Sequence, residues 1–445
     1  MSVRVVIGAQ YGDEAKGKIS DYLAADARYV VRSGGGPNAG HSVHLPDGSV
    51  VLHQVATGVL RAGVAGVSGP GMVVQPMRLL DEIAELEQKH LLRGEFVLSD
   101  RAHVLLPIHE LEDAWEDEMR TRHDPAGALG TTGRGIGPAY ADRYGRWGIR
   151  YGELNHPGTR HARLELLYER KREIPNLPPI DRLETELADA GARLAPFIQD
   201  VDPLLFGALE RGEVILLEGA QSALLDIDFG TYPFVTSSHP TSSGALLGSG
   251  LPPQSVTEVT GVAKAYCTRV GAGPFTTRAE PSQEQFLQRV GGERGATTGR
   301  ARSCGWLDLV LMRYVARLNG VTSWAITKVD VLGGLEHVPV CVAYRSPDGR
   351  RWGDRPPTTA VETAAVTPVY DARPGWPEFH PRLHERIRRE GASALPQPLR
   401  DFLSFIARET GVPVEIVSYG PQREETVRLS RRARGHAPAL ARWSK

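Results

Sequence analysis

The sequence predicts an α/β fold with a large, mainly parallel central sheet, flanking helices, a P-loop-like nucleotide-binding architecture and inserted subdomains. Three observations carry that expectation. Short apolar, β-branched runs recur along the chain, segments of helical period separate many of them, and the first run opens directly into a glycine-rich loop. Val3 to Gly8 reads as a buried strand, with a helix following from about Ala15. Further strand-like runs are Phe96–Leu98, Val214–Leu217, Ser323–Ile326 and Val338–Val342. The clearest helical pattern is Trp306–Leu318, where Leu307, Val310, Leu311, Val315 and Leu318 mark one apolar face and Gly320 supplies the stop. Glycine-rich stretches at Ser33–Gly40, Gly130–Gly137 and Gly271–Pro274 are bracketed by regular elements, and such interior loops often carry function. The prolines of Ile174–Pro179 read as a helix end. Residues 1–427 read as one elaborated domain, and 428–445 as a basic, solvated tail containing Arg428, Arg431, Arg432, Arg434, Arg442 and Lys445.

Composition narrows the class. The chain has 445 residues, 41% of them apolar and 24% charged, values that fit an ordinary globular protein. A formal charge of −1 gives no reason to expect nucleic acid as a partner. Cys267, Cys304 and Cys341 form no CxxC, which disfavours a disulfide framework or a zinc site and fits a reducing cytoplasm. No export signal and no membrane span is expected from the amino-terminal residues or from any apolar run.

Chemistry concentrates in three places. The first is Gly12-Asp13-Glu14-Ala15-Lys16-Gly17-Lys18, which has the GxxxxGK spacing of a phosphate-cradling loop between a strand and a helix. Backbone N–H groups at a helix start attract anions, and the lysines add charge. Ile19 stands where a Ser or Thr would hold Mg2+, so Asp13, a hard oxygen donor inside the loop, is the candidate to meet the metal or to act on substrate. The second is Ser33–His41, three consecutive glycines ending in a residue able to exchange a proton near neutrality. Alone, His41 reads as a structural histidine; its pairing with Asp13 makes it a candidate. The third is Thr327-Lys328-Val329-Asp330, at the carboxyl end of an apolar strand. The Asp330 carboxylate can accept two parallel hydrogen bonds from guanine N1–H and its 2-amino group, a donor pair adenine lacks.

Taken with GAQYGDEAKGK (8–18), GGPNAGHS (35–42), LGTTGRGIGPAYADR (129–143), EGAQSALLDIDFGTYPFVTSS (218–238), AYCTRVGAGPFTT (265–277), ATTGRARSCGWLD (296–308), TKVDVLGGL (327–335) and VSYGPQREET (417–426), the chain resembles the adenylosuccinate synthetase family. The resemblance implies a GTP- and Mg2+-dependent ligase that phosphorylates O6 of inosine monophosphate and then lets the aspartate amino group displace phosphate. It implies Asp13 as the base for the N1 proton and a metal ligand, His41 beside the transferring phosphoryl group, and the Gly40 carbonyl as a second metal ligand. Gly12, Glu14, Ala15, Lys16, Gly17, Lys18, Gly40, Arg302, Lys328, Asp330, Ser418 and Gly420 would hold GTP. Asn38, Thr132, Gln221, Thr236 and Arg300 would contact the purine monophosphate, with Arg146 reaching the site of a neighbouring subunit in a homodimer. Thr297, Thr298, Arg300 and Arg302 would bind aspartate, since arginines on a glycine-hinged loop can fork onto carboxylates.

Four residues depart from the family's pattern: Ala15 in the phosphate loop, Pro37 beside Asn38, His239 after the VTSS segment, and Ala301 between two arginines. Ala15 is tolerable unless the backbone there requires positive φ. Pro37 removes a backbone donor. These changes raise the alternative of a specialised relative that uses GMP or dGMP. Two other readings remain open: a GTP-binding switch, and a silent paralogue that binds nucleotide.

Overall fold

In a computed structural model the protein is described over residues 2–46, 48–124, 129–294, 299 and 301–429. Its centre is a sheet of ten strands, in the edge-to-edge order Thr426–Arg428, Val414–Ser418, Ser323–Thr327, Val256–Lys264, Ser2–Gly8, Val214–Glu218, Tyr29–Arg32, Ala65–Ser68, Glu95–Ser99 and Ile198–Gln199. Neighbours run parallel throughout except Thr426–Arg428, which turns back antiparallel on Val414–Ser418. Strands of a parallel sheet are covered on both faces, which is why the first strand is mainly apolar: Val3, Val5, Val6 and Ile7 are all fully buried, and only Ser2 and Arg4 near its start are partly exposed. It pairs with Val214–Glu218 on one side and Val256–Lys264 on the other, so the chain leaves its carboxyl end at a crevice between neighbouring loops.

The strand-like runs all form strands, but Val338–Val342 belongs to a second, smaller sheet. There Ser303–Asp308 lies between Tyr266–Arg269 and His337–Arg345, and the last of these also pairs with Arg351–Trp352 and Thr367–Pro374. The helix expected at Trp306–Leu318 starts later, at Leu309, and runs to Asn319. Asp308 caps it by accepting from the N–H groups of Val310 and Leu311 at 3.0 and 3.2 Å. Trp306 and Leu307 are apolar because they are strand residues, opposite Tyr266 and Val340, and their spacing imitated one more helical turn. Gly320 ends the helix with φ 59°, as expected.

The prolines of 174–179 lie between the helices Pro157–Arg170 and Ile180–Leu194, which pack on each other. Leu183, Leu187, Ala190 and Leu194 of the second helix join a core with Leu79, Ile83 and Leu86 of Pro76–Gln88. Arg428, assigned to the basic tail, ends the last strand opposite Ile416, because the sheet needs its backbone there. The rest of that tail, from 430, lies outside the described residues. No helix among the described residues is long and apolar enough to cross a membrane.

Candidate active site

A cleft of about 780 Å3 opens at the carboxyl ends of the central strands, where the loops after Gly8, Arg32, Glu218, Thr327 and Ser418 converge. Its lining includes Gly12, Asp13, Ala15, Lys16, Gly17, Lys18, Asn38, Gly40, His41, Thr132, Gln221, Thr236, Arg302, Lys328, Asp330, Ser418 and Gly420. Glu14 and Arg146 are absent from it. Thr297, Thr298 and Arg300 lie outside the described residues.

The phosphate loop is held in an unusual backbone shape. Gly12, Asp13 and Ala15 have φ of 102°, 61° and 64°. Ala15 therefore sits in the left-handed region, the one circumstance in which losing glycine there is costly: an L side chain in that conformation costs about 1–2 kcal/mol. Ala15→Gly is expected to stabilise the protein by about 1 kcal/mol without loss of turnover, a rise of about 1 °C in Tm for a chain of this length. Denaturant titration and a thermal scan of the two proteins side by side check it.

Glu14 turns inward. Its carboxylate accepts from the backbone N–H of Gln10 at 3.1 Å and of Gly12 at 2.9 Å, and from Ser222 Oγ at 2.6 Å. Burial acts to raise its pKa, but the Lys16 ammonium at 2.6 Å outweighs this and leaves the carboxyl below its ordinary value. Glu14 thus shapes the loop from behind rather than facing the cleft. Lys18 is also diverted: its Nζ donates to Ser418 Oγ at 2.8 Å, Gly420 O at 2.6 Å and Glu425 O at 3.0 Å. Burial pushes this lysine down to about 8.

His41 packs directly on Gly17, where an added Cβ would come within 2.7 Å of the histidine's own Cβ. The ring's Nδ1 meets Glu218 Oε1 at 2.5 Å, while Nε2 is enclosed without a partner in the cleft wall. The other carboxylate oxygen of Glu218 accepts from Thr57 N at 2.9 Å and Thr57 Oγ1 at 2.6 Å. Burial lowers the pKa of His41, with Arg32 and Lys16 adding to the effect and Glu218 opposing it. Glu218, for which burial acts upward, is nonetheless held below its ordinary value by His41, Arg32 and Thr57. The arrangement is a proton-exchanging ring aimed by a buried carboxylate.

Asp13 forms an ion pair with Arg302, Oδ2 to Nε 2.7 Å. Arg302 is in turn gripped by Glu293, which also accepts from Lys264 and from the Tyr266 hydroxyl. Burial acts to raise the pKa of Glu293, but Lys264, Lys328 and Arg302 bring it down to about 2, so the carboxylate that holds Arg302 stays charged. Arg269 joins two further loops of the cleft: it donates to Ala272 O and Pro274 O, and to Thr231 Oγ1 and Phe234 O, all at 3.0 Å.

Asp330 is half-buried, and one carboxylate oxygen is enclosed with no partner. Burial raises its pKa, against the pull of Lys328 and Lys18. Lys328, with φ 59°, donates from Nζ to Gly291 O at 2.5 Å. On the guanine-reading role expected of Asp330 from the sequence, Asp330→Asn would replace an acceptor of two guanine donors with a group that can accept only one. The expected result is a 10- to 100-fold rise in KM for GTP, about 1.5–3 kcal/mol of lost charged hydrogen bonding, with kcat within about twofold. Steady-state kinetics at saturating IMP and aspartate read it directly.

Gln221 has φ 51°, and both atoms of its amide are enclosed without partners. Pro37 proves harmless to its loop: Ala39 N donates to Gly36 O at 3.2 Å, which makes Pro37 the second residue of a four-residue turn, a position that proline favours. Asn38 Oδ1 accepts from Gly36 N at 3.2 Å in the same turn. Thr236 Oγ1 lies 3.3 Å from Ser238 Oγ. Arg146 is exposed at the end of the helix Ile136–Gly145, with φ 65°.

Residues 5–427 match the family model described as adenylosuccinate synthetase. The chain belongs to this family. An adenylosuccinate synthetase of Bifidobacterium adolescentis is 40% identical over 432 residues, covering 96% of this chain and 98% of its own. One from Frankia casuarinae is 42% identical, covering 96% and 99%. The fully ligated adenylosuccinate synthetase of Plasmodium falciparum superposes with a TM-score of 0.90 at 33% identity, over 96% of this chain and all of that one. A cyanophage S-2L succinoaminodeoxyadenylate synthetase shares the fold at TM-score 0.59 and 19% identity, over 99% of this chain and 96% of its own. As an adenylosuccinate synthetase family member, the protein is a carbon–nitrogen ligase of purine biosynthesis that uses GTP to join IMP and aspartate.

The sequence reading had not singled out Glu218, Glu293 or Arg269. Glu218 and Arg269 each end a strand, and a charged residue closing a strand was the available signal; Glu293 follows the helix Pro281–Gly291 and carried none. The partner of Glu218, however, is remote: His41 lies 177 residues from it.

Proposed function

We propose that Asp13 and the His41–Glu218 pair perform the family reaction, with IMP as the preferred purine. The observation that carries this reading is their presence in one cleft, with the free Nε2 of His41 in its wall and Arg302 on Asp13. Asp13 removes the N1 proton of IMP, and the electron pair so released makes O6 nucleophilic toward the γ-phosphorus of GTP. The bond from that phosphorus to the β,γ-bridging oxygen breaks and GDP leaves. His41 holds or donates a proton at the phosphoryl oxygens. The aspartate amino group then attacks C6, and inorganic phosphate departs with the former O6 to leave adenylosuccinate.

Asn38, Thr132, Gln221 and Thr236 orient the purine monophosphate, and the unpartnered amide of Gln221 suits a ring with both donors and acceptors. Asp330, Ser418 and Gly420 read the guanine, while the phosphate loop presents N–H groups and Lys16 to the phosphates. Arg302, with Thr297, Thr298 and Arg300, takes the aspartate carboxylates.

The donor set fits Mg2+: the Asp13 carboxylate and the Gly40 carbonyl are hard oxygens in the cleft lining, and Mg2+ is commonly held by one carboxylate together with substrate phosphates. Bound there, it would supply positive charge to the phosphoryl oxygens. Arg146, exposed and outside the lining of its own cleft, suits a homodimer in which it serves the neighbouring site. A cytoplasmic setting agrees with three free, buried cysteines.

The test is a substrate panel. GTP or ATP, Mg2+ and aspartate are combined with IMP, GMP or dGMP, and both absorbance and phosphate release are followed. Turnover is expected with GTP, IMP and aspartate together. Turnover of dGMP with silence on IMP would overturn the substrate assignment, and GTP hydrolysis indifferent to aspartate would overturn the ligase roles.

A further inference from the structure

Beside the part of the cleft that holds Thr236, Asp226, Asp228 and His239 each offer one ligand atom, all within 4.8 Å of one another. His239 Nδ1 stands 3.5 Å from Asp226 Oδ2 and 3.7 Å from Asp228 Oδ2. These separations exceed the hydrogen-bond range of about 2.7–3.2 Å. They are close to what a chelated ion imposes, since ligands about 2.0–2.1 Å from a tetrahedral centre stand about 3.3–3.4 Å apart.

A second, independent observation points the same way. Asp226 is fully buried, and its Oδ2, the atom facing His239, has no hydrogen-bond partner. Its other oxygen is occupied by the N–H groups of Asp228 and Phe229, at 3.0 and 3.2 Å, which fix the carboxylate's direction. A buried carboxylate oxygen left bare is costly unless a cation meets it. Among the described residues no lysine or arginine forms an ion pair with Asp226 or Asp228; His239 is the partner of both.

We propose that Asp226, Asp228 and His239 form a binding site for a borderline first-row divalent ion such as Zn2+ or Co2+. One imidazole and two carboxylates suit such an ion better than the all-oxygen shell of Mg2+. Asp228 is largely exposed and His239 partly so, leaving the remaining coordination positions to water and giving the ion a way in. Bound there, the ion ties the turn starting at Asp226 to the segment just before the helix Ser242–Ser249. Between these ligands lies Thr236, whose N–H donates to Leu225 O at 2.9 Å and whose side chain lines the cleft. The site would therefore steady one wall of the purine pocket.

The experiment uses full-length protein stripped of metal with a chelator and kept in excess Mg2+, with no nucleotide present. Co2+ is titrated in while its visible d–d absorption is followed. A single equivalent is expected to give a band that added Zn2+ bleaches. His239→Asn and Asp228→Asn should each weaken Co2+ binding by at least about ten-fold, whereas Asp13→Asn should leave it unchanged. Asp228 is at the surface, so its variant is expected to fold, and a thermal scan without Co2+ verifies this for both. No band in the unmodified protein would overturn the proposal. A band that persists in His239→Asn would overturn it equally.

Discussion

Asp13→Asn is expected to lower kcat by about four orders of magnitude, the upper range for removing a positioned proton acceptor. The substitution isolates the chemistry. Asn is among the residues that best tolerate the left-handed backbone, so the φ of 61° at this position is kept. Arg302 keeps its grip on Glu293, so the cluster behind the loop stays paired. On the proposed mechanism, what disappears is the charge that takes the N1 proton, together with one hard ligand for the metal. GTP affinity should change far less than turnover, because the phosphate loop and Asp330 remain. Single-turnover phosphate release and equilibrium GTP binding, measured on the same preparation, separate the two. Undiminished turnover would remove Asp13 from the mechanism.

Glu218→Gln is expected to cost about 10²- to 10⁴-fold in kcat, although Glu218 lies behind His41 and is fully buried. An amide has one acceptor where the carboxylate has two, and both are in use here. If its oxygen keeps the Thr57 N–H, its NH2 faces His41 Nδ1 and forces the opposite tautomer. If it keeps His41, the Thr57 donors lose their partner. Either way the negative charge that favours the imidazolium is gone. A merely structural role would change stability and leave the pH profile alone. Here the basic limb of kcat should move to lower pH, because His41 would hold its proton only in more acidic solution. A lower kcat with an unmoved limb would reduce Glu218 to a packing residue.

The parts of this site legible from sequence are those whose chemistry is local. Gly12 to Lys18 announces itself because a strand, a glycine-bearing loop and a helix follow one another within a few residues. Lys328 and Asp330 are legible because they follow an apolar strand at its carboxyl end. The sheet was readable for the same reason, through short buried runs such as Val3–Gly8. The rest depends on meetings between distant residues. Nothing near Lys18 indicates that its ammonium will turn toward Ser418 and Gly420 rather than lie free for phosphate. Nothing near Glu14 shows that Ser222 and the loop's own N–H groups will claim it. The helix start at Leu309 was missed because Trp306 and Leu307 are apolar for a different reason, burial between two strands. Pro37 looked disruptive because a missing donor matters only where one is needed, and at its place in the turn none is. Ala15 shows the converse: the substitution was visible, but the backbone angle that makes it costly was not.

The bond from Lys18 to Ser418, Gly420 and Glu425 joins residues about 400 positions apart. During synthesis, the opening stretch of the polypeptide waits for nearly everything else before its nucleotide pocket can close. A nascent chain stalled before residue 414 would already contain the middle strand of the sheet and the anion-attracting turn. It would lack the edge strands Val414–Ser418 and Thr426–Arg428, and Lys18 would be without these three acceptors. The Lys18 side of the cleft therefore takes its final form only once the last two strands of the sheet have been made.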